Sequence, residues 1–238
     1  MRASLVLRHP HMLLAAIVAV VAVATMLVLA SEADGGVDRV SGVDRAIALT
    51  FDDGPDPRHT PAVLDALAAA NARATFFLVG ERAAQHPELV ERILAEGHEV
   101  AHHTQTHPRL DRLSATAFAG ELDTGLATLD AAGSPRPVWY RPPRGFRDAE
   151  LEEMARTRGL RVVLWSTCFE SRRHRNGAEM AKRVARETHD GDIVLAHDGL
   201  GNRAMTVEAL PLYLAEMRER DVEVLTLSQL WARSDALR

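Results

Sequence analysis

Apolar residues recur along this chain in short blocks that alternate between two spacings. Ala46-Ile47-Ala48-Leu49-Thr50 is a compact apolar run between charged and turn residues, the pattern of a buried strand. Residues 61–70 are rich in Ala and Leu at helical spacing, with Thr60 expected at the N-cap and Pro61 at the first helical position. The alternation continues to the C-terminus. It predicts strands at 74–79, 98–101, 138–140, 160–165, 192–196 and 222–225, and helices at 87–96, 114–132, 148–158, 177–189, 204–220 and 227–233. Gly97, Gly133 and Gly159 stand just past three of those helices, where a left-handed residue ends the last turn. Strands that alternate with helices imply parallel strands joined by helical crossovers. About seven parallel strands in this length predict an α/β fold, a distorted or incomplete (β/α) barrel, ahead of an open sheet.

A different pattern precedes the barrel. Residues 12–30 carry no charge and one polar side chain, Thr25, and follow Arg2 and Arg8. This span is long enough to cross a bilayer and exceeds the usual signal-peptide core of roughly 7 to 15 residues. The basic flank predicts an N-terminus inside and a domain outside. Val28-Leu29-Ala30 also fits a small-residue cleavage site. Residues 1–30 are therefore expected to be a single-pass transmembrane anchor of the cell membrane, or a signal helix cleaved after Ala30 with secretion of the remainder. Residues 31–44, with Asp34-Gly35-Gly36, read as a flexible linker, and 45–238 as one domain.

Composition narrows the classes. With 47% hydrophobic and 26% charged residues the chain is globular. A net charge of -5 offers no electrostatic case for nucleic acid as a partner. Lys182 is the single lysine among 28 basic residues, a compositional bias rather than an arginine-built surface. The single cysteine, Cys168, excludes an intrachain disulfide. It is read as a small buried residue ahead of a ligand or nucleophile.

The chemistry sits at the ends of the predicted strands, where α/β folds build active sites. Thr50-Phe51-Asp52-Asp53-Gly54-Pro55 puts two adjacent carboxylates after the first strand, an arrangement that calls for a metal ion or a buried arginine beside them. His103-Thr104-Gln105-Thr106-His107-Pro108 offers two imidazoles four residues apart, which one helical turn would present on the same face. Two histidines and a carboxylate form a common hydrolytic zinc set. His98 and His102 share that spacing, but His98 falls in a predicted strand, so His103 and His107 are preferred. His197, closing the strand at 192–196, is read equally well as a general acid or base or as a structural histidine. The stiff loop Arg141-Pro142-Pro143-Arg144-Gly145 could direct Arg141 onto one of the aspartates, or be an ordinary proline-rich loop with exposed arginines.

Taken in order, these segments together with Leu195-Ala196-His197 resemble the motifs of the polysaccharide deacetylases, the NodB-homology enzymes of carbohydrate esterase family 4. The resemblance runs from about Arg45 to the C-terminus. It implies that Asp53, His103 and His107 hold a divalent metal, usually zinc, with cobalt or nickel as alternatives. It implies that Asp52 is the general base held by Arg141, that His197 is the general acid, and that the backbone N–H around Arg144 helps hold the oxyanion. Pro143, Arg144, Leu195 and Trp165 are then expected to bind or orient substrate, with a core role for Trp165 equally open. The implied reaction removes N-acetyl groups from an extracellular glycan such as peptidoglycan or a chitin-like polymer and releases acetate. Alternatives are an O-acetylated xylan or small amide as substrate, or a glycan-binding protein weakened in catalysis. Two departures stand out. Arg144 replaces an expected aromatic residue, and the acids expected after Trp165 are absent from Ser166-Thr167-Cys168-Phe169-Glu170-Ser171. Glu170 and Asp198 are the candidates to replace the acid that tunes His197.

Overall fold

The computed structural model describes residues 36–235. The predicted span at 12–30 lies outside them, and no helix among the described residues is long and apolar enough to cross a membrane. Eight strands form one sheet: β1 (Ala46–Asp52), β2 (Thr75–Leu78), β3 (Glu99–His102), β4 (Trp139–Tyr140), β5 (Arg161–Val162), β6 (Thr167–Cys168), β7 (Ile193–His197) and β8 (Glu223–Leu225). The helices are α1 (Thr60–Ala69), α2 (Gly80–Gln85), α3 (Pro87–Ala95), α4 (Ala115–Ala131), α5 (Ala149–Arg156), α6 (Gly177–Glu187), α7 (Ala204–Glu219) and α8 (Leu227–Asp235). Strand order is β5-β4-β3-β2-β1-β7-β6, every pair is parallel, and β8 joins β1 off this path. One edge of β1 is shared: Ala46–Ala48 pair with β8 and Thr50–Asp52 with β2.

The expected incomplete barrel is thus present. Its seam runs between β5 and β6, which do not pair, and the chain before β1 bridges it. Val37 pairs in parallel with Val163 while Arg39 pairs antiparallel with Asp192. Val40 and Val43 are buried. Residues 37–43 therefore belong to the fold, although Gly and Asp around them read as a flexible linker.

Alternation along β1 decides what the barrel interior contains. Ile47, Leu49 and Phe51 face the surrounding helices, packing with residues such as Leu64 and Leu210. Ala46 and Ala48 face inward with Phe77, Trp139 and Leu227. By the strand's period of two, Thr50 and Asp52 continue that inward row. Small alanines at the lower end leave space for Phe77 and Trp139, and the polar pair lies at the C-terminal rim.

Several local expectations change. Thr60 is the first helical residue rather than the cap; His59 takes the cap position without a side-chain bond. The Thr60 hydroxyl instead accepts from Asp56 N–H at 2.8 Å and donates to Asp198 Oδ2 at 2.6 Å. The strand predicted at 160–165 shortens to β5, because the chain then leaves it to cross the seam, and β6 forms beyond the predicted span. Helix α2 begins at Gly80, in a stretch for which no element is predicted. The Gly80 N–H donates to Thr104 O at 3.0 Å, and a side chain there would collide with Gln105.

Gly125, in the middle of α4, permits a close approach of that helix to the end of β3. A Cβ there would lie 2.4 Å from His102 Nε2. His102 is fully buried, donates from Nε2 to Leu122 O at 3.1 Å and accepts at Nδ1 from Thr104 N–H at 3.0 Å. Helix propensity alone would favour alanine at position 125 by about 1 kcal/mol. Overpacking against a ring fixed at both nitrogens opposes this with about 1–3 kcal/mol. Gly125→Ala is expected to lower stability in urea unfolding, and a gain in midpoint would contradict this packing.

Candidate active site

The C-terminal ends of β1, β3, β4 and β7 converge on one cluster. Asp52 ends β1 and is buried. Arg141, directly after β4, is fully buried and donates through NH1 to Asp52 Oδ1 at 2.7 Å and to Thr50 Oγ1 at 2.9 Å, and through NH2 to Leu164 O at 2.8 Å. The Phe77 ring lies 4.1 Å from the guanidinium carbon. Burial lowers the Arg141 pKa, Asp52 opposes that, and a guanidinium stays charged in either case. The proline-rich loop therefore does aim Arg141 at one aspartate.

Asp53 takes a different direction. Its φ of 74° is left-handed, a conformation aspartate tolerates better than most residues. The turn sends its carboxylate toward the histidines. Oδ1 lies 3.4 Å from His103 Nε2 and 3.2 Å from His107 Nε2. Burial raises the Asp53 pKa, but the neighbouring imidazoles, His103 first and then His197 and His107, outweigh it and hold the group at about 2.

His103 and His107 meet without a helix. The segment after β3 is a loop in which Thr104 and His107 have φ of 66° and 56°. Two left-handed residues fold the chain back and bring the rings together, which the four-residue spacing alone attributes to a helical turn. Glu121 on α4 holds this loop, accepting from Gln105 N–H, Thr106 N–H and the Thr106 hydroxyl at 2.9, 2.8 and 2.8 Å. The Thr104 hydroxyl accepts from His107 N–H at 3.1 Å. Glu121 carries no sequence signal beyond its place on a helix. His98 and His102 are buried apart from the cluster, as the preference for His103 and His107 requires.

On the opposite side, His197 ends β7, and its Nδ1 lies 3.0 Å from Glu170 Oε2. Glu170 Oε1 also accepts from His197 N–H at 3.3 Å and from the Thr206 hydroxyl at 2.7 Å. Burial lowers the His197 pKa, and the Glu170 carboxylate more than reverses this, so the net shift is upward. Glu170 is therefore the acid beside His197. Asp198 points elsewhere: it is fully buried under Gly54, bonded to Thr60, and burial pushes its pKa up to about 7. The Cys168 thiol lies 3.7 Å from Glu170 Oε2, and burial followed by that charge pushes its pKa up to about 12. A thiol so placed is protonated at neutral pH and so a poor nucleophile, and it lies outside the Asp53, His103 and His107 cluster.

The remaining expected residues line the rim. Pro143 is buried and opens a 3₁₀ turn, Pro143–Gly145, in which Arg144 has a φ of 59°. Arg144 is exposed and reaches Pro108 O at 3.4 Å, beside the His107 loop. Trp165 is partly buried, 5.7 Å from the Arg141 guanidinium carbon, and closes on Gly145, where a Cβ would stand 2.8 Å from its ring. Leu195 is buried in β7, two residues before His197 and on the same side of the strand. Arg203, which no motif marks, donates to Asp53 Oδ2 at 3.3 Å.

Asp53, His103 and His107 fit a divalent ion. Their ligand atoms lie within 4.8 Å of one another. Asp53 Oδ1 is buried without a hydrogen-bond partner. His103 donates from Nδ1 to Arg141 O at 2.7 Å, which leaves the Nε2 lone pair facing Oδ1. Ligands about 2.0–2.1 Å from a tetrahedral ion stand about 3.3 Å apart, close to the 3.4 and 3.2 Å separations here. Burial, then His103, lowers the His107 pKa to about 4, so its ring is neutral and able to ligate at neutral pH.

Comparison with known proteins places the chain among relatives. The polysaccharide deacetylase profile matches residues 39–163. A peptidoglycan-N-acetylglucosamine deacetylase of Bacillus cereus is 37% identical over 189 residues, covering 79% of this chain and 88% of that protein. The corresponding PgdA enzyme of Listeria monocytogenes is also 37% identical over 189 residues, but the chain spans only 39% of its length. Among solved structures, a peptidoglycan N-acetylglucosamine deacetylase superposes with a TM-score of 0.77 at 28% identity, covering 82% of this chain and 92% of that one. A profile match over just over half of the chain, on a site of this composition, establishes that the protein belongs to the polysaccharide deacetylase family, the hydrolases that cleave N-acetyl amide bonds of polysaccharides.

Proposed function

We propose that this chain is a metal-dependent hydrolase that removes N-acetyl groups from an extracellular N-acetylglucosamine polymer, peptidoglycan foremost, and releases acetate. The observation that carries the reading is the division of labour at the rim. Asp53 Oδ1 is unpaired and faces two imidazole nitrogens, while Asp52 is held by Arg141 and His197 by Glu170. The 37% identity to a Bacillus cereus peptidoglycan deacetylase supports the substrate class. The uncharged run at 12–30 supports export, with the domain outside the cell membrane or released after Ala30.

Asp53, His103 and His107 would hold a divalent ion, zinc in the first instance and cobalt or nickel otherwise, which would supply Lewis acidity toward the acyl carbonyl and lower the pKa of a water from about 15.7 toward 7. The protein's own groups do the rest. Asp52, fixed by the Arg141 guanidinium, accepts the proton of the attacking water. The left-handed Arg144 turn presents backbone N–H toward the developing oxyanion. His197, whose Nδ1 is tied to Glu170, gives its Nε2 proton to the leaving amine. Without that proton the amide nitrogen is a poor leaving group. Trp165 and Leu195 provide apolar surface for the acetyl methyl group.

Acetate release from peptidoglycan, chitin oligomers and acetylated xylan by the metal-loaded protein tests the reading. Release from the first two and not from xylan is expected. Release confined to xylan would move the substrate to O-acetyl sugars, and no release from any would favour a binding protein. Asp53→Ala and His103→Ala are each expected to lose bound metal and acetate release together, measured by elemental analysis and the same assay. His197→Ala is expected to keep its metal and lose about 10²–10⁴-fold in kcat. The proton on His197 is lost as pH rises through its raised pKa, so activity falls on the alkaline side. In Glu170→Gln the carboxylate that raises this pKa is gone, and the alkaline limb of kcat/KM moves to lower pH. An unmoved limb would remove Glu170 from the acid's control.

A further inference from the structure

Arg203 stands just before α7, at the end of the loop that follows His197. Its side chain is only 18% exposed. Nε donates to Gly199 O at 2.7 Å, and NH2 donates to Leu200 O at 3.0 Å and to Asp53 Oδ2 at 3.3 Å. One guanidinium thus joins two carbonyls of the His197 loop to the far oxygen of an aspartate on the β1 loop. The two loops already touch, since a Cβ on Gly199 would overlap the Asp53 carbonyl oxygen.

The two oxygens of Asp53 are therefore not equivalent. Oδ1 faces His103 and His107, and Oδ2 faces Arg203. A carboxylate free to rotate can give a metal one oxygen or both. Giving both fills a coordination position that a hydrolytic ion needs for water or substrate. A fixed guanidinium on Oδ2 opposes that change, because a second metal–oxygen contact would have to displace a charge-assisted hydrogen bond.

We propose that Arg203 is a positioning residue that holds Asp53 to one-oxygen ligation and so keeps a coordination position open for reactants. This inference rests on the reading of Asp53, His103 and His107 as the metal site. It extends that reading by naming the group that holds Asp53 Oδ2, a side chain at the end of the loop that follows His197. The bland alternative is that Arg203 only staples the loop through the Gly199 and Leu200 carbonyls, where Leu200 has a φ of 45°. A pure staple would affect stability and His197, and would leave the ligand mode of Asp53 unchanged.

The test is the visible d–d absorption of the cobalt(II)-substituted protein, which weakens as coordination number rises. Arg203→Met is expected to bind cobalt with a several-fold weaker band, as Asp53 turns to give both oxygens. Arg203→Lys, which keeps a cation within reach of Oδ2, is expected to return the band toward the wild-type intensity. Equal bands in wild type and Arg203→Met would overturn the inference. Failure of the wild type to bind cobalt would instead overturn the metal-site reading beneath it. If Arg203→Met does not fold, a crystal structure of the metal-loaded wild type decides. Oδ1 on the metal with Oδ2 on Arg203 upholds the assignment, and both oxygens on the metal refutes it.

Discussion

The contact between Arg141 and Asp52 organises the reactive end of the barrel. Moving a guanidinium out of water costs several kcal/mol, and only a close anion with further hydrogen bonds offsets that. Here the anion is Asp52 at 2.7 Å, and the hydrogen bonds go to Thr50 and Leu164. Three strand ends are tied to one side chain, and the Phe77 ring closes its face. The Arg141 backbone takes part as well, because its carbonyl receives the His103 Nδ1 proton and so selects which nitrogen faces Asp53. Removing either charge would leave the other buried and unpaired, a loss of about 3–5 kcal/mol. The pair is thus a condition for the site and not a margin added to stability.

The same constraint separates the adjacent aspartates. With Asp52 committed inward, Asp53 can only reach the histidines by leaving the strand, and its left-handed φ does this. Across the rim, Glu170 plays toward His197 the part that Arg141 plays toward Asp52, a close counter-charge that fixes the side chain's direction. Thr206 from α7 completes its ligands, so the helix after His197 also sets the acid. Each catalytic group is therefore held by a residue from another element, and the barrel frame sets their mutual positions.

Much of this was readable in the chain itself. Apolar runs and helical spacing revealed the parallel order, because strands buried on both faces and amphipathic crossovers leave strong local patterns. Asp52, Asp53, His103, His107, Arg141 and His197 stood out because carboxylates, imidazoles and a proline-stiffened arginine at strand ends serve no packing purpose. What escaped was non-local. The His103–His107 pair looked helical because spacing is ambiguous, whereas the left-handed turns at Thr104 and His107 depend on Glu121 fourteen or more residues away. Thr60 looked like a cap, but its hydroxyl answers to Asp198, 138 residues on. Glu170 was one of two candidates, and only the approach of β6 to β7 separates it from Asp198. The seam bridged by Val37 lay in a segment whose glycines and acids resemble a tether.

Metal content and turnover of Asp52→Asn together test this division most directly. Asparagine keeps the shape and removes the charge facing Arg141. The account predicts a less stable protein that still binds one equivalent of metal, as Asp53, His103 and His107 are untouched, yet releases no acetate. Loss of the metal along with turnover would place Asp52 in the ligand set, and retained turnover would deny it the role of base; either result contradicts the separation argued here.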